Sequence, residues 1–319
     1  MWFNHAQIYH YELEQSIDLT DSLSSEILKP CPPHARFIYG WLPAFGDELV
    51  HETADCALIC MGKEERVLPR AVIKRLLAEK IEHIEAQQNR VVKRAERSQL
   101  AEELEFELLP KSFCLQKRLP AILDKMTKRL IINTSSPTQA AQLISLLRKS
   151  ISGISIEPIE QKENLSLMLA NWITSPAVLP ASFQLASNCV LFSPDDEKKR
   201  FLCKGYELPA DEILTLLTQG LAVSEVSLIW NERIQFTLTD SLTLKQVKCL
   251  DYLLDDFNEL RQLEEDYQQR DAALILLNGE LRTLLNELFS AIGSDITSLQ
   301  RGEPNIQIKS SSQYEAHVQ

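Results

Sequence analysis

Residues 70–97, RAVIKRLLAEKIEHIEAQQNRVVKRAER, sit inside a stretch between Pro69 and Pro110 that contains no glycine and no other proline. Apolar residues recur at Ile73, Leu77, Ile81, Ile84, Val91 and Ala95. That three-and-four spacing is the signature of an amphipathic helix. It predicts one helix from about residue 70 to 97, roughly 40 Å long at 1.5 Å per residue. Ser98 is then placed to cap a second helix, QLAEELEFELL, which Pro110 stops. Residues 69–118 therefore read as a helical arm projecting from something else.

That something else alternates strands and helices. Upstream, residues 2–13 suggest a strand, TDSLSSEIL a helix capped at Thr20 or Asp21, and RFIYGW and CALICM two further strands, the second apolar enough to be buried. Downstream, AILDKMTKRLIINT reads as a hairpin turning near Lys125 to Lys128. SSPTQAAQLISLLRKS opens a helix with Ser136 as cap and Pro137 in the first turn, where a missing N–H is harmless. GISIEPI is a strand and NLSLMLANWI a helix. ELPADEILTLLTQG is another helix, with Pro209 before it and Gly220 after it. AVSEVSLIW, RIQFTLT and TLKQVKC are antiparallel strands, and residues 251–292 return to helix. The fold class is α+β, with mixed antiparallel sheets, packed helices and a projecting helical arm. The division is an N-terminal α+β body at 1–68 plus 119–170, a basic arm at 69–118, and a C-terminal α+β region at 171–293 ending in acidic helices. A polar, aperiodic tail at 294–319 is expected to be flexible.

Composition narrows the chemistry. Cysteines number seven, an odd count with no CxxC pair, which fits reduced thiols and no disulfide framework. Cys56 and Cys60 point to one face of a strand and read as core. No secretory leader and no apolar run near 18 residues is present, so the chain reads as soluble and cytoplasmic, with no membrane partner. No P-loop and no GxSxG elbow occurs; HETAD begins like a zinc-protease helix but carries Asp55 where the second histidine belongs. No catalytic residue, metal site or cofactor is indicated.

Charge is distributed unevenly. The chain is −12 overall. From Lys63 to Arg129, sixteen Lys and Arg stand against eleven Asp and Glu, giving +5 and leaving −17 for the rest. On a continuous helix Arg90, Lys93, Arg94 and Arg97 would share one face, at i, i+3, i+4 and i+7. Like charges so stacked repel by a few tenths of a kcal/mol per pair. Either water or an anion has to face them, and both readings stay open at this level.

Several segments together resemble the RdgC family: KEERVLPRAVIK (63–74), ELLPKSF (107–113), LLRKSISG (146–153), SFQL (182–185), ELPADEI (207–213) and RIQF (233–236), with WF at residues 2–3 and GWLP at 40–43. The resemblance spans residues 1–293. It implies a ring-shaped homodimer closed by two contacts, with a basic central hole that admits duplex DNA, and leaves single-stranded DNA open as a ligand. It further implies binding without sequence preference, restraint of RecA-driven recombination, a nucleoid location and no enzymatic activity. By position Arg90 matches a family arginine implicated in DNA binding. The helix-face spacing adds Lys93, Arg94 and Arg97, the further bases of the stretch add Lys111, Lys117 and Arg118, and Lys204 beside the altered family pair completes the DNA-binding candidates. Phe113 and Tyr206 are the dimer-interface candidates. A family Lys-Gln pair is replaced here by Gly205 and Tyr206, with Lys204 just before them. The acidic C-terminal third is expected outside the hole or at a subunit contact. The alternative is a helical adaptor whose basic arm binds an acidic protein.

Overall fold

The computed structural model describes residues 2–14, 17–160, 164–261, 263 and 265–293. The expected tail at 294–319 lies outside the described residues. The first sheet is antiparallel and built from β1 (Gln7–Leu13), β2 (Phe37–Leu42), β3 (His51–Glu52), β4 (Cys56–Val67), β5 (Phe113–Asp124), β6 (Arg129–Ile132) and β7 (Ile154–Pro158). Its strands run in the order β2-β4-β5-β6-β1-β7, with β3 also on β4. Period-two alternation decides its two faces. Ala57, Ile59, Met61, Leu123, Leu130 and Ile132 turn to one side, where α1 (Leu19–Ser24) and α4 (Pro137–Ser150) complete a core. Cys56, Leu58, Cys60, Ile122 and Ile131 turn to the other. CALICM is therefore buried on both faces, and Cys56 and Cys60 are core residues as expected.

The second sheet is also antiparallel, in the order β12-β11-β10-β8-β9. Its members are β8 (Phe183–Ser193), β9 (Asp196–Lys204), β10 (Ala222–Trp230), β11 (Ile234–Thr239) and β12 (Leu244–Cys249). Helices α5 (Leu165–Thr174), α6 (Asp211–Thr218), α7 (Asp251–Leu260) and α8 (Asp266–Ala291) accompany it. α8 joins the two halves. Its Leu277, Leu281, Leu284, Leu285 and Leu288 are at most 1% exposed and share one cluster with residues of both sheets. Each such leucine contributes about 1.5–3 kcal/mol by burial.

Polar contacts lock the same seam. Arg282 Nε donates to Asp124 Oδ2 at 2.7 Å, and its Nη1 reaches Asp55 at 3.3 Å. Asp124, fully buried, also accepts the backbone N–H groups of Met126 and Thr127 at the β5–β6 turn. Arg129 lies 4.7 Å over the Phe289 ring and donates to Asn286 at 2.6 Å. Burial pushes its guanidinium down to about 10. Arg233 donates to Glu280 at 2.7 and 3.0 Å and to Asp256 at 2.5 Å, and Trp230 Nε1 donates to Glu287. The carboxylates Asp256, Glu280 and Glu287 thus serve the chain's own core. Apolar periodicity, rather than net charge, thus decides where α8 packs.

Other expectations change too. The single helix over 70–97 is two. α2 (Arg70–Gln88) ends where Asn89 adopts the left-handed conformation, φ 48° and ψ 41°. α3 (Arg94–Leu108) follows and returns antiparallel, ending in a short 3-10 turn at Leu109–Lys111. The physical reason is burial: a lone helix would leave its apolar stripe in water, whereas the fold-back packs Ile81 and Val92 against Leu100. Ser98 consequently lies inside α3 and caps nothing. The assigned arm also runs too far, because residues 113–118 are the start of β5, paired with β4 from Val67↔Phe113 onward. Their side chains are all exposed, so no burial pattern announced the strand. At α1 the cap is Asp18, which accepts from Asp21 N, rather than Thr20 or Asp21. β8 and β9 had no counterpart in the sequence reading; β9 is an edge strand with Phe201 and Leu202 exposed.

Candidate nucleic-acid interface

The arm positions the cations. α2 has 19 residues and so is about 28 Å long. The loop 89–93 and the first turn of α3 form its far end, and this tip has a defined shape. The Arg90 guanidinium makes a two-pronged pair with Glu96, both bonds at 2.6 Å, while its Nε donates to Gln88 at 2.7 Å. Glu85 accepts the Val92 backbone N–H at 2.8 Å. The Glu96 hydrogen bonds raise the Arg90 value, and the same bonds hold the Glu96 carboxyl below the usual carboxylate range.

Lys93 occupies the N-cap position of α3, with Arg94 and Arg97 in the turn after it. All three are exposed. No carboxylate lies within ion-pair distance of them among the described residues, in contrast to Arg90. The one-face spacing over Arg90, Lys93, Arg94 and Arg97 does not survive the helix break: Arg90 belongs to the loop and only Arg94 and Arg97 keep helical register. The four still share the tip, through chain reversal rather than through helical period.

These cations stand at the wrong end of their helix. The N-terminus of a helix carries partial positive charge and favours anions, by about 0.3–1 kcal/mol per group. α3 places Arg94 and Arg97 there and Glu102, Glu103, Glu105 and Glu107 toward the other end, with no basic residue in its last turn. Near the base some of this is repaid, where Lys80 meets Glu103 across the hairpin at 3.6 Å and Arg36, just before β2, meets Glu105. At the tip the one first-turn carboxylate, Glu96, is taken up by Arg90, and Arg94 and Arg97 have no ion pair among the described residues.

The remaining candidates are dispersed. Lys111 lies in the 3-10 turn at the foot of the arm and reaches Glu107 at 3.4 Å. Lys117, on β5, pairs with Glu65 at 2.5 Å, and Glu65 also pairs with Lys63, so its carboxyl is held below the ordinary range by the two lysines. Arg118 donates to the Pro43 carbonyl. Lys204 ends β9 on the other sheet, exposed and without an ion pair among the described residues. The sequence reading passed over Lys198 and Arg200 on the same edge strand, although KKR at 198–200 was visible as a run. Phe113 is 86% exposed at the start of β5, and Tyr206 is 41% exposed just beyond β9. Neither is a core aromatic.

Among the described residues no group of three or more His, Cys, Asp or Glu side chains is arranged to hold a metal ion, and no helix is long and apolar enough to cross a membrane. A family model described as "Putative exonuclease, RdgC" matches residues 1–295. The recombination-associated protein RdgC of Pseudoalteromonas translucida (strain TAC 125) is 32% identical over 305 residues, covering 94% of this chain and 100% of that protein. The protein of the same name from Yersinia pestis (strain Pestoides F) is 32% identical over 302 residues, covering 92% and 99%.

Proposed function

The chain belongs to the RdgC family of recombination-associated proteins, and from that membership together with the charge of its arm we propose that it binds duplex DNA through phosphates without reading base sequence. The observation that carries this is the tip of the arm: Lys93, Arg94 and Arg97 are exposed, lack internal ion pairs among the described residues, and sit where the helix dipole disfavours them. A polyanion opposite them converts that cost into binding.

The mechanism is counterion release. Each phosphate neutralised on duplex DNA frees condensed cations, and affinity falls with salt. With about four phosphates per subunit and eight per dimer, the slope of log K against log salt is about −7. Contacts of this kind position the protein and carry no sequence information.

The assembly proposed is a homodimeric ring around the duplex, with the arm tips turned inward and the exposed Phe113 and Tyr206 at its two contacts. By occupying DNA it restrains RecA-mediated strand exchange in the nucleoid. The reaction is binding, with no bond made or broken. A strongly acidic remainder, −17 outside Lys63–Arg129, repels other DNA from the outer surface and favours threading.

The deciding experiment is a salt-titrated binding assay on linear and covalently closed duplexes of one sequence, with and without Mg²⁺. A slope near −7, with slower loading on the closed circle, supports the ring. Equal loading on both would reduce the reading to surface binding. No binding at about 100 mM salt would favour an acidic protein as the partner of the arm, and Mg²⁺-dependent cutting would make the chain a nuclease.

A further inference from the structure

We infer that Val91 is an apolar wedge that the arm tip inserts into the DNA minor groove, an inference that rests on the proposed DNA binding. Val91 is 79% exposed, while its neighbour Val92 is only 4% exposed, packed with Ile81 and Leu100. The residue before it is equally fixed, since Arg90 is held by Glu96 and Gln88. Val92 is fixed through its backbone as well, to Glu85. Anchors on both sides thus leave one β-branched side chain exposed in the loop that joins α2 to α3.

An isolated exposed valine on an ordinary surface needs no explanation. This one is flanked by cations that have no internal use. Lys93, Arg94 and Arg97 follow it on the same tip without ion pairs among the described residues. An apolar group next to unpaired cations suits one kind of polyanion surface, a duplex groove with phosphates on both walls and base edges at its floor. The minor groove is about 6 Å wide and its floor presents a degenerate pattern of acceptors, so a side chain without donors or acceptors loses little there. Its negative potential draws arginine and lysine, and apolar side chains entering it partly unstack a base step and kink the duplex. Such a wedge discriminates weakly among sequences, in keeping with binding that does not read bases.

The test uses the full chain and a duplex of roughly one ring length with fluorophores at both ends and 2-aminopurine at its centre. Wild type should shorten the end-to-end distance, raise 2-aminopurine fluorescence, and be displaced by netropsin, a minor-groove ligand. Val91→Ala should abolish the bend and the 2-aminopurine signal and weaken binding about 5- to 10-fold, with the salt slope unchanged; Val91→Leu should retain both signals. The side chain is exposed, so neither change threatens folding. The wedge is overturned if wild type binds tightly without bending or unstacking, if Val91→Ala matches wild type, or if a major-groove ligand displaces the protein and netropsin does not. Those results leave phosphate binding intact. Absence of any DNA binding by wild type would remove both readings.

Discussion

Two helices of nearly equal length, α4 in the body and α3 in the arm, obey opposite rules. α4 has Ser136 as N-cap, its Oγ accepting from Gln139 N, Pro137 in its first turn, Arg148 and Lys149 in its last, and five buried side chains. Every choice agrees with what a helix wants from its own backbone. α3 has no side-chain cap, Arg94 and Arg97 beside a single Glu96 in its first turn, no basic residue in its last, and two buried residues, Leu100 and Leu104. Where local rules are broken together, in a segment that is otherwise regular, function is the usual reason. The body is charged for folding and the arm tip is charged for something outside the chain.

The comparison breaks most directly in the body. Asp124→Ala strands Arg282 beside a buried seam and frees two turn N–H groups, which should cost about 3–5 kcal/mol. Urea unfolding reads it, and DNA affinity per folded molecule should not change; a loss under about 1 kcal/mol would remove that seam from the account. At the tip, Arg94→Glu combined with Arg97→Glu should lower DNA affinity at least about 100-fold at 100 mM salt and bring the slope from about −7 toward −4. The melting temperature should stay or rise, because carboxylates now face the helix N-terminus. A fall in stability alongside would mean the arginines served the fold.

Capping sharpens the contrast on a smaller scale. Ser136→Ala should destabilise the body by about 1 kcal/mol, whereas Lys93→Ser should stabilise the arm by a comparable amount while weakening DNA binding. Hydrogen exchange across α3 would separate the two. The smallest effect concerns Arg90. Glu96→Gln releases its guanidinium and should tighten binding two- to threefold, read by anisotropy. Because the folded value of Glu96 lies below its unfolded one, the pairing stabilises the tip fully above about pH 4.3 and is lost only as pH falls past the folded value. An NMR titration of the Glu96 carboxyl should therefore show a depressed midpoint that rises in Arg90→Ala.

Much of this was legible in the order of residues. The apolar run CALICM, the Ser136–Pro137 helix start, the hairpin turn near Lys125 and the three strands from Ala222 to Cys249 all follow from local hydrophobic pattern and turn chemistry, and each is present. β9 was illegible because an edge strand buries little and alternates weakly. Residues 113–118 were illegible for a related reason: β5 is held there by its ladder to β4, a contact some fifty residues away.

The candidate site divides the same way. That cations concentrate between Lys63 and Arg129, and that eight segments match one family in order, is a property of composition and motif, independent of any coordinate. Which of those cations remain available is a tertiary matter. Arg90, Lys111 and Lys117 acquire carboxylate partners, and Arg118 a carbonyl, while Lys93, Arg94 and Arg97 do not among the described residues. A left-handed Asn89 turns one long helix into a hairpin, and with that turn the apolar stripe closes on itself and the charges gather at the apex. Local sequence specifies how many cations there are; only the packing of distant residues decides which ones still face solvent, because an ion pair is made in space and not along the chain.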